Sequence, residues 1–116
     1  NLENLQALLD AGADVMARDE DGRTPLNWAA LFGTPAKIKA LLDAGADIMA
    51  RDKFGETPLH FAAQNGTSAN IQPLLDAGAD AKAKNEEGKT PWDLAQENED
   101  LKDTQGKWAM SDAQYN

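Results

Sequence analysis

Thr57-Pro58-Leu59-His60-Phe61-Ala62-Ala63 has a sibling upstream, Thr24-Pro25-Leu26-Asn27-Trp28-Ala29-Ala30, and another downstream, Thr90-Pro91-Trp92-Asp93-Leu94-Ala95-Gln96, each 33 residues from the next. A second heptapeptide keeps the same beat: Leu8 to Asp14, Leu41 to Asp47 and Leu74 to Asp80 all read LLDAGAD. Two segments repeating in phase, without slip, mark a stacked repeat architecture. Each unit is then one supersecondary block that buries its apolar face only against its neighbours.

Within a unit the local signals alternate between turn and helix. Asp19-Glu20-Asp21-Gly22 reads as a tight turn closed by a glycine,. Thr24 follows as a helix N-cap, and Pro25 occupies the first helical position, where its missing N–H costs nothing,. Leu26, Ala29 and Ala30 form an apolar stripe whose alanines let a neighbouring helix approach closely, and Gly33 ends the helix. Thr34-Pro35 repeats the cap, Ile38, Leu41 and Leu42 give the second helix its buried face, and Gly45 stops it. The next unit repeats the scheme, with Asp52-Lys53-Phe54-Gly55 as the turn and helices over 57–66 and 67–78. Pro73 objects: it falls inside the second helix, where it predicts a kink or a frayed first turn,. Glu86-Glu87-Gly88 is the third turn, and Asp93 sits three residues after Thr90 in a capping-box arrangement,.

The ends depart from this scheme. Leu2, Leu5, Leu8 and Leu9 carry the spacing of one buried helical stripe, the second helix of a unit whose first helix is not seen,. An upstream capping segment is expected to cover its apolar side. Past Glu99 the pattern breaks, and a final irregular helix with Trp108 against the last stack is expected,.

At 116 residues the chain has the length of one modest domain, and no apolar run is long enough to span a bilayer,. The absence of cysteine removes disulfides and thiolate metal sites and fits a reducing compartment, which favours the cytoplasm,. A net charge of −9 argues against nucleic acid and anionic lipid, and favours a protein partner with a basic surface,.

These residues together resemble the ankyrin repeat. The pattern Asp-x-x-Gly-x-Thr-Pro-Leu-His-x-Ala-Ala-x-x-Gly followed by Leu-Leu-x-x-Gly-Ala-Asp runs nearly throughout residues 52–80. It recurs over 19–47 with Asn27 in place of the histidine, and more loosely over 85–96. The tail from Trp92 to Tyr115 also looks like the end of some bacterial ankyrin proteins. Met16 and Met49 stand where the family usually has asparagine, so altered loop hydrogen bonding is expected there. The resemblance implies an all-α solenoid of stacked antiparallel helix pairs with projecting hairpin-like fingers. It divides residues 1–116 into a partial unit 1–18, repeats 19–51 and 52–84, and a C-terminal repeat and cap 85–116. It further implies a binding role with no cofactor and no catalysis, on a monomer.

No constellation of residues argues otherwise. His60, the one histidine, reads as a structural residue hydrogen-bonded to a neighbouring loop. Ser68 and Ser111 are not placed to form a triad with it,. An EF-hand register on Gly22 puts Ala17 and Trp28 where acidic ligands belong, so the acidic turn reads as solvated and no metal is expected,.

Trp28, Phe61 and Leu94 share one repeat position and are expected in the core. Leu31 and Phe32 are apolar where their siblings Gln64-Asn65 and Glu97-Asn98 are polar. In the family that place faces the groove, so the pair serves either as a binding anchor or as packing on the neighbouring N-terminal unit. Phe54, at a finger tip, is a further aromatic anchor. The candidate partner-binding surface is Glu20, Asp21, Arg23, Leu31, Phe32, Lys53, Phe54, Glu56, Gln64, Asn65, Glu86, Glu87 and Lys89. The competing expectation is an engineered or truncated scaffold with no dedicated partner.

Overall fold

A computed structural model describes residues 7–65 and 68–97 of the chain. Residues 7–10 are helical, and five helices follow: α1 (Pro25–Phe32), α2 (Pro35–Asp43), α3 (Pro58–Asn65), α4 (Ser68–Asp76) and α5 (Pro91–Glu97). No strand occurs among the described residues. No helix among them is long and apolar enough to cross a membrane. The expected final helix and Trp108 lie outside the described residues.

The helices begin where threonine and proline place them. Thr24 and Asn27 form a reciprocal capping box, and Thr34 Oγ1 accepts a hydrogen bond from Lys37 N at 3.3 Å. The first helices α1, α3 and α5 stack in one row, with α3 packed on both neighbours. The second helices α2 and α4 pack behind them and on each other. Close stacking of the first row depends on alanine: Ala30, Ala62, Ala63 and Ala95 are fully buried between Leu26, Leu59 and Leu94, with Ile38, Leu41, Ile71 and Leu74 closing the core from the second row. The architecture is all-α and solenoidal, as the 33-residue period implies.

Asn70 ties the two rows together. It is buried, and its Nδ2 donates to Ala30 O at 3.3 Å and Gly33 O at 3.2 Å, satisfying carbonyls at the end of α1 that the helix itself leaves open,. Gly33 serves that same end through space rather than conformation. Its φ is −88°, but a Cβ there would sit 2.6 Å from Ala29 O.

Three expectations are corrected. Leu8 is largely exposed, although Leu41 and Leu74 at the same repeat position are buried. Those two pack under the first helix of their own unit, and the described residues supply none for Leu8. Trp28 is 39% exposed where Phe61 and Leu94 are 4% and 6% exposed. Phe61 is covered by the preceding unit, whereas Trp28 stands at the end of the described row, stacked on Phe32 and in contact with Arg23 and Asp19. Helix α4 runs unbroken through Pro73. The ring lies in an outer cleft between α2 and α4, with Pro35, Ala36 and Leu42, and the residue four before it, Ala69, is exposed.

Gly55 and Gly88 close equivalent turns with φ of 76° and 77°. A Cβ at Gly55 would meet Glu86 N at 3.1 Å, whereas one at Gly88 meets nothing within 4 Å among the described residues. Gly88→Ala is therefore expected to cost about 1 kcal/mol, the penalty of a left-handed residue alone. Gly55→Ala should cost about 2 kcal/mol, because the next finger must also give way. Urea melts of the two variants check this ordering, and equal costs would contradict it.

Candidate functional site

Three finger turns line one edge of the stack, each held by a single side chain. Asp19 Oδ1 accepts from Asp21 N at 2.9 Å and Arg23 N at 3.0 Å. Asp52 Oδ1 does the same for Phe54 N and Glu56 N, both at 2.9 Å, and Asn85 Oδ1 for Glu87 N and Lys89 N at 2.9 and 3.0 Å. The short Asx side chain mimics a backbone turn, which is why Asp or Asn opens each finger. The Arg23 backbone N–H, with the Trp28 indole and Asp21 N–H adding to it, holds the Asp19 carboxyl below its usual range against the effect of burial.

Adjacent fingers are joined by backbone and by arginine. Lys53 N donates to Asp21 O at 2.9 Å, and Glu86 N to Phe54 O at 3.0 Å. Arg18 Nη1 donates to Gly22 O and to Arg51 O, 33 residues on; Arg51 Nη1 repeats this with Gly55 O and Lys84 O. Met16 and Met49 keep the register as well: their thioether sulfurs accept from Asp47 N and Asp80 N in the following unit, as weak acceptors,. The sequence reading missed these roles of Arg18, Arg51 and Asn70. The repetition of Ala-Arg-Asp at 17–19 and 50–52 was the available signal for the two arginines.

Between the fingers and the first row of helices lies a concavity of about 350 Å³, lined by Arg23, Leu31, Phe54, Glu56, Phe61, Gln64 and Glu87. Apart from Phe61, these are all residues singled out from the sequence. Leu31 is half-buried against the core, while Phe54 is exposed at its finger. Asp21, Lys53 and Lys89 flank this region within ion pairs, and Glu20 and Glu86 are exposed on the turns. The side chain of Asn65 lies outside the described residues.

Phe32 does not join the group. Successive helical residues point about 100° apart. While Leu31 faces the concavity, Phe32 is 76% exposed, stacks on Trp28 at 5.8 Å and lines a separate cleft with Pro25, Ala29, Lys37 and Leu41.

Arg23 and Asp52 organise the electrostatics. The Asp52 side chain is fully buried, and its Oδ2 lies 3.6 Å from Arg23 Nε. The guanidinium is sandwiched between Trp28 and Phe61, 5.2 and 5.3 Å from the ring centroids, an arrangement that suits its flat, weakly hydrated charge,. Asp21 also reaches Arg23 at 3.8 Å and pairs with Lys53 at 2.7 Å. Glu56 forms no ion pair among the described residues, and the charge of Arg23 reaches it only from a distance. Burial, then the charge of Asp52, push its carboxyl above the usual range, with a hydrogen bond from Asn85 partly offsetting them.

His60 is spoken for on both nitrogens. Nε2 lies 3.0 Å from Lys89 O, which only accepts, so Nε2 carries the hydrogen; Nδ1 accepts from Thr57 N at 3.1 Å, with Thr57 Oγ1 at 2.9 Å. Burial first of all holds its pKa below the usual value, so the ring is neutral. A fully buried imidazole with both nitrogens engaged is a strut between units and has no free nitrogen for general-base chemistry,. Asn27 performs the same task at the preceding interface with a shorter arm: its Oδ1 accepts from Thr24 N at 2.7 Å and its Nδ2 reaches Ala50 O at 3.5 Å.

None of the curated proteins compared with the chain matches it. Family models do. One for ankyrin repeats in many copies matches residues 41–95, and one for three copies matches residues 1–52. Ankyrin repeats generally mediate protein–protein interaction, and their proteins are typically non-enzymatic scaffolds. With matches running from residue 1 to residue 95 and a helical stack of the same period beneath them, this chain belongs to the ankyrin repeat family.

Proposed function

We propose that the chain is a non-catalytic interaction module that grips a partner protein through its concave groove and finger tips. One observation carries the reading: Leu31 and Phe54, apolar side chains from a helix end and a finger tip 23 residues apart, meet at one concavity rimmed by charged side chains. Apolar anchors inside a polar rim are the usual anatomy of a binding surface. The bonds between fingers make the surface rigid before binding, so little ordering entropy is lost. The net charge of −9 favours a partner with a basic surface and binding that weakens with salt,.

The test is affinity capture from the source organism's lysate with three baits: the chain, Leu31→Ser/Phe54→Ser, and a back-face control, Lys39→Ser. Removing both anchors should weaken binding by about 2 kcal/mol or more, some thirtyfold, while the control keeps its partner. Circular dichroism melts confirm that each bait is folded. Recovery of the same proteins by all three baits, or of none by the unaltered chain, contradicts the groove and leaves a scaffold without a dedicated partner.

A further inference from the structure

The cations around this groove are each paired with a carboxylate. Arg23 is neutralised by Asp52 and Asp21, Lys53 by Asp21, and Lys89 by Glu97 at 3.2 Å. Glu56 and Glu87, both lining the concavity, form no ion pair among the described residues. They lie close enough for the charge on Glu87 to help raise the pKa of Glu56. Arg23 and Lys89 act on these two carboxylates from a distance without pairing with them, and half-burial of Glu56 beside others of its own sign is unfavourable until a closer cation arrives,.

The repeat itself shows what such a cation looks like in place. Position 23 and position 56 are equivalent, 33 residues apart, as are Trp28 and Phe61. At the first interface a guanidinium fills this position, lying on Phe61 and against Asp52. At the next interface the residue is Glu56, the facing Asx is the uncharged Asn85, and no cation is paired with the carboxylate among the described residues. Leu31, Phe54 and Phe61 supply apolar surface alongside it, and the Phe54 ring already carries the Lys53 ammonium at 5.1 Å from its centroid. A volume of about 350 Å³ sits at the small end of ligand sites, enough for one long side chain rather than a large ligand,.

We propose that this concavity seats a single basic side chain, arginine or lysine, of the partner protein, its charge against Glu56 and Glu87 and its methylene stem along Leu31, Phe54 and Phe61. The proposal rests on the groove being the partner-binding surface and names the chemistry it selects. Carboxylates supply the charge complement, and the apolar wall shields the pair from water, where a charge-assisted hydrogen bond is worth more than at an open surface.

Two small probes separate charge from apolar stem: N-acetyl-arginine amide and N-acetyl-norleucine amide, titrated into the full ¹⁵N-labelled chain and followed by amide chemical shifts. The arginine probe should give saturable shifts at residues 54–56, 64 and 87–89, and the norleucine probe should not. In Glu56→Gln/Glu87→Gln the arginine affinity should fall on the order of tenfold. The double variant should melt no lower than the parent, since neither carboxylate is part of an ion pair among the described residues and the half-buried charge of Glu56 is itself unfavourable. Three results overturn the proposal: equal shifts from the norleucine probe, shifts that survive the double substitution, or no shifts at these residues. If that happens while captured partner is still lost with Leu31→Ser/Phe54→Ser, the groove remains the binding surface and only the basic side chain is wrong. If the partner also ignores Leu31→Ser/Phe54→Ser, both readings fall together.

Discussion

His60→Ala is expected to lower the stability of the chain by about 3 kcal/mol. The substitution removes a buried ring and strands Thr57 N and Lys89 O, one at the start of α3 and one in the next finger. A buried donor or acceptor left without a partner costs about 1–3 kcal/mol, which is why loss of two outweighs the volume alone. His60→Asn should cost about half as much. Asn27 shows that an amide keeps the threonine cap and gives up only the longer reach across the interface. Urea melts order the three proteins, and an alanine variant as stable as the asparagine variant would contradict the strut.

The same geometry sets a pH dependence. Protonating Nδ1 would aim its N–H at the Thr57 N–H, and burial disfavours the charge, so the folded pKa lies below the 6.5 of a free histidine. Between the two values the unfolded chain binds a proton that the folded chain does not, so stability rises with pH in that window. The contribution of His60 is therefore fully present above about pH 6.5 and is lost as the pH falls from there toward the folded value. Glu56, whose pKa is raised on folding, acts in the opposite direction at lower pH. Melts of the chain and of His60→Asn from pH 7.5 to 5.5 should show a downward slope in the first that is missing from the second.

Asp52→Ala is the second large effect, expected at about 2–3 kcal/mol. It frees Phe54 N and Glu56 N together, opening the second finger, and leaves Arg23 with only the more distant Asp21. The part of the guanidinium that reaches solvent keeps the cost below that of a fully buried broken pair. Asp52→Asn separates the two contributions. Asn85 makes the same pair of bonds in the third finger, so the amide should preserve the turn and lose only the charge, at about 1 kcal/mol,. Equal losses for alanine and asparagine would show that the ion pair, not the turn, is what matters at this position.

How far the chain was legible follows from which forces are local. Thr24-Pro25, Thr34-Pro35 and Thr57-Pro58 state the helix starts outright, because cap and proline act within one turn, and the observed helices begin at those prolines. The structural part of His60 was readable from the Thr-Pro-Leu-His pattern, which implies a hydrogen bond to a neighbouring loop, whereas its bond with Thr57, three residues away, was not foreseen. The loop atom itself, Lys89 O, lies 29 residues on and is identified only once units stack. Asn70, bridging 40 residues to Ala30, was beyond reach for that reason, and nothing in its neighbourhood marks it. Trp28 failed because burial belongs to the neighbour as much as to the residue. Its repeat position says core, but its place in the row leaves it exposed. Phe32 lies one helical step of rotation away from Leu31 and so lines a different cleft, which the period alone does not resolve. Most of the candidate groove residues were named in advance because the period carries each finger to the same edge, and Arg23 was named without its double aromatic sandwich or its buried anion.

The most direct test of a preformed binding groove is amide hydrogen exchange on the chain alone and with its captured partner. The account predicts that finger and helix-end amides over residues 53–56, 61–64 and 86–89 become more protected in the complex, while those of the outer row over 35–43 and 68–76 do not change. Protection confined to the outer row, or to the Trp28–Phe32 end, would place the partner elsewhere and contradict the groove.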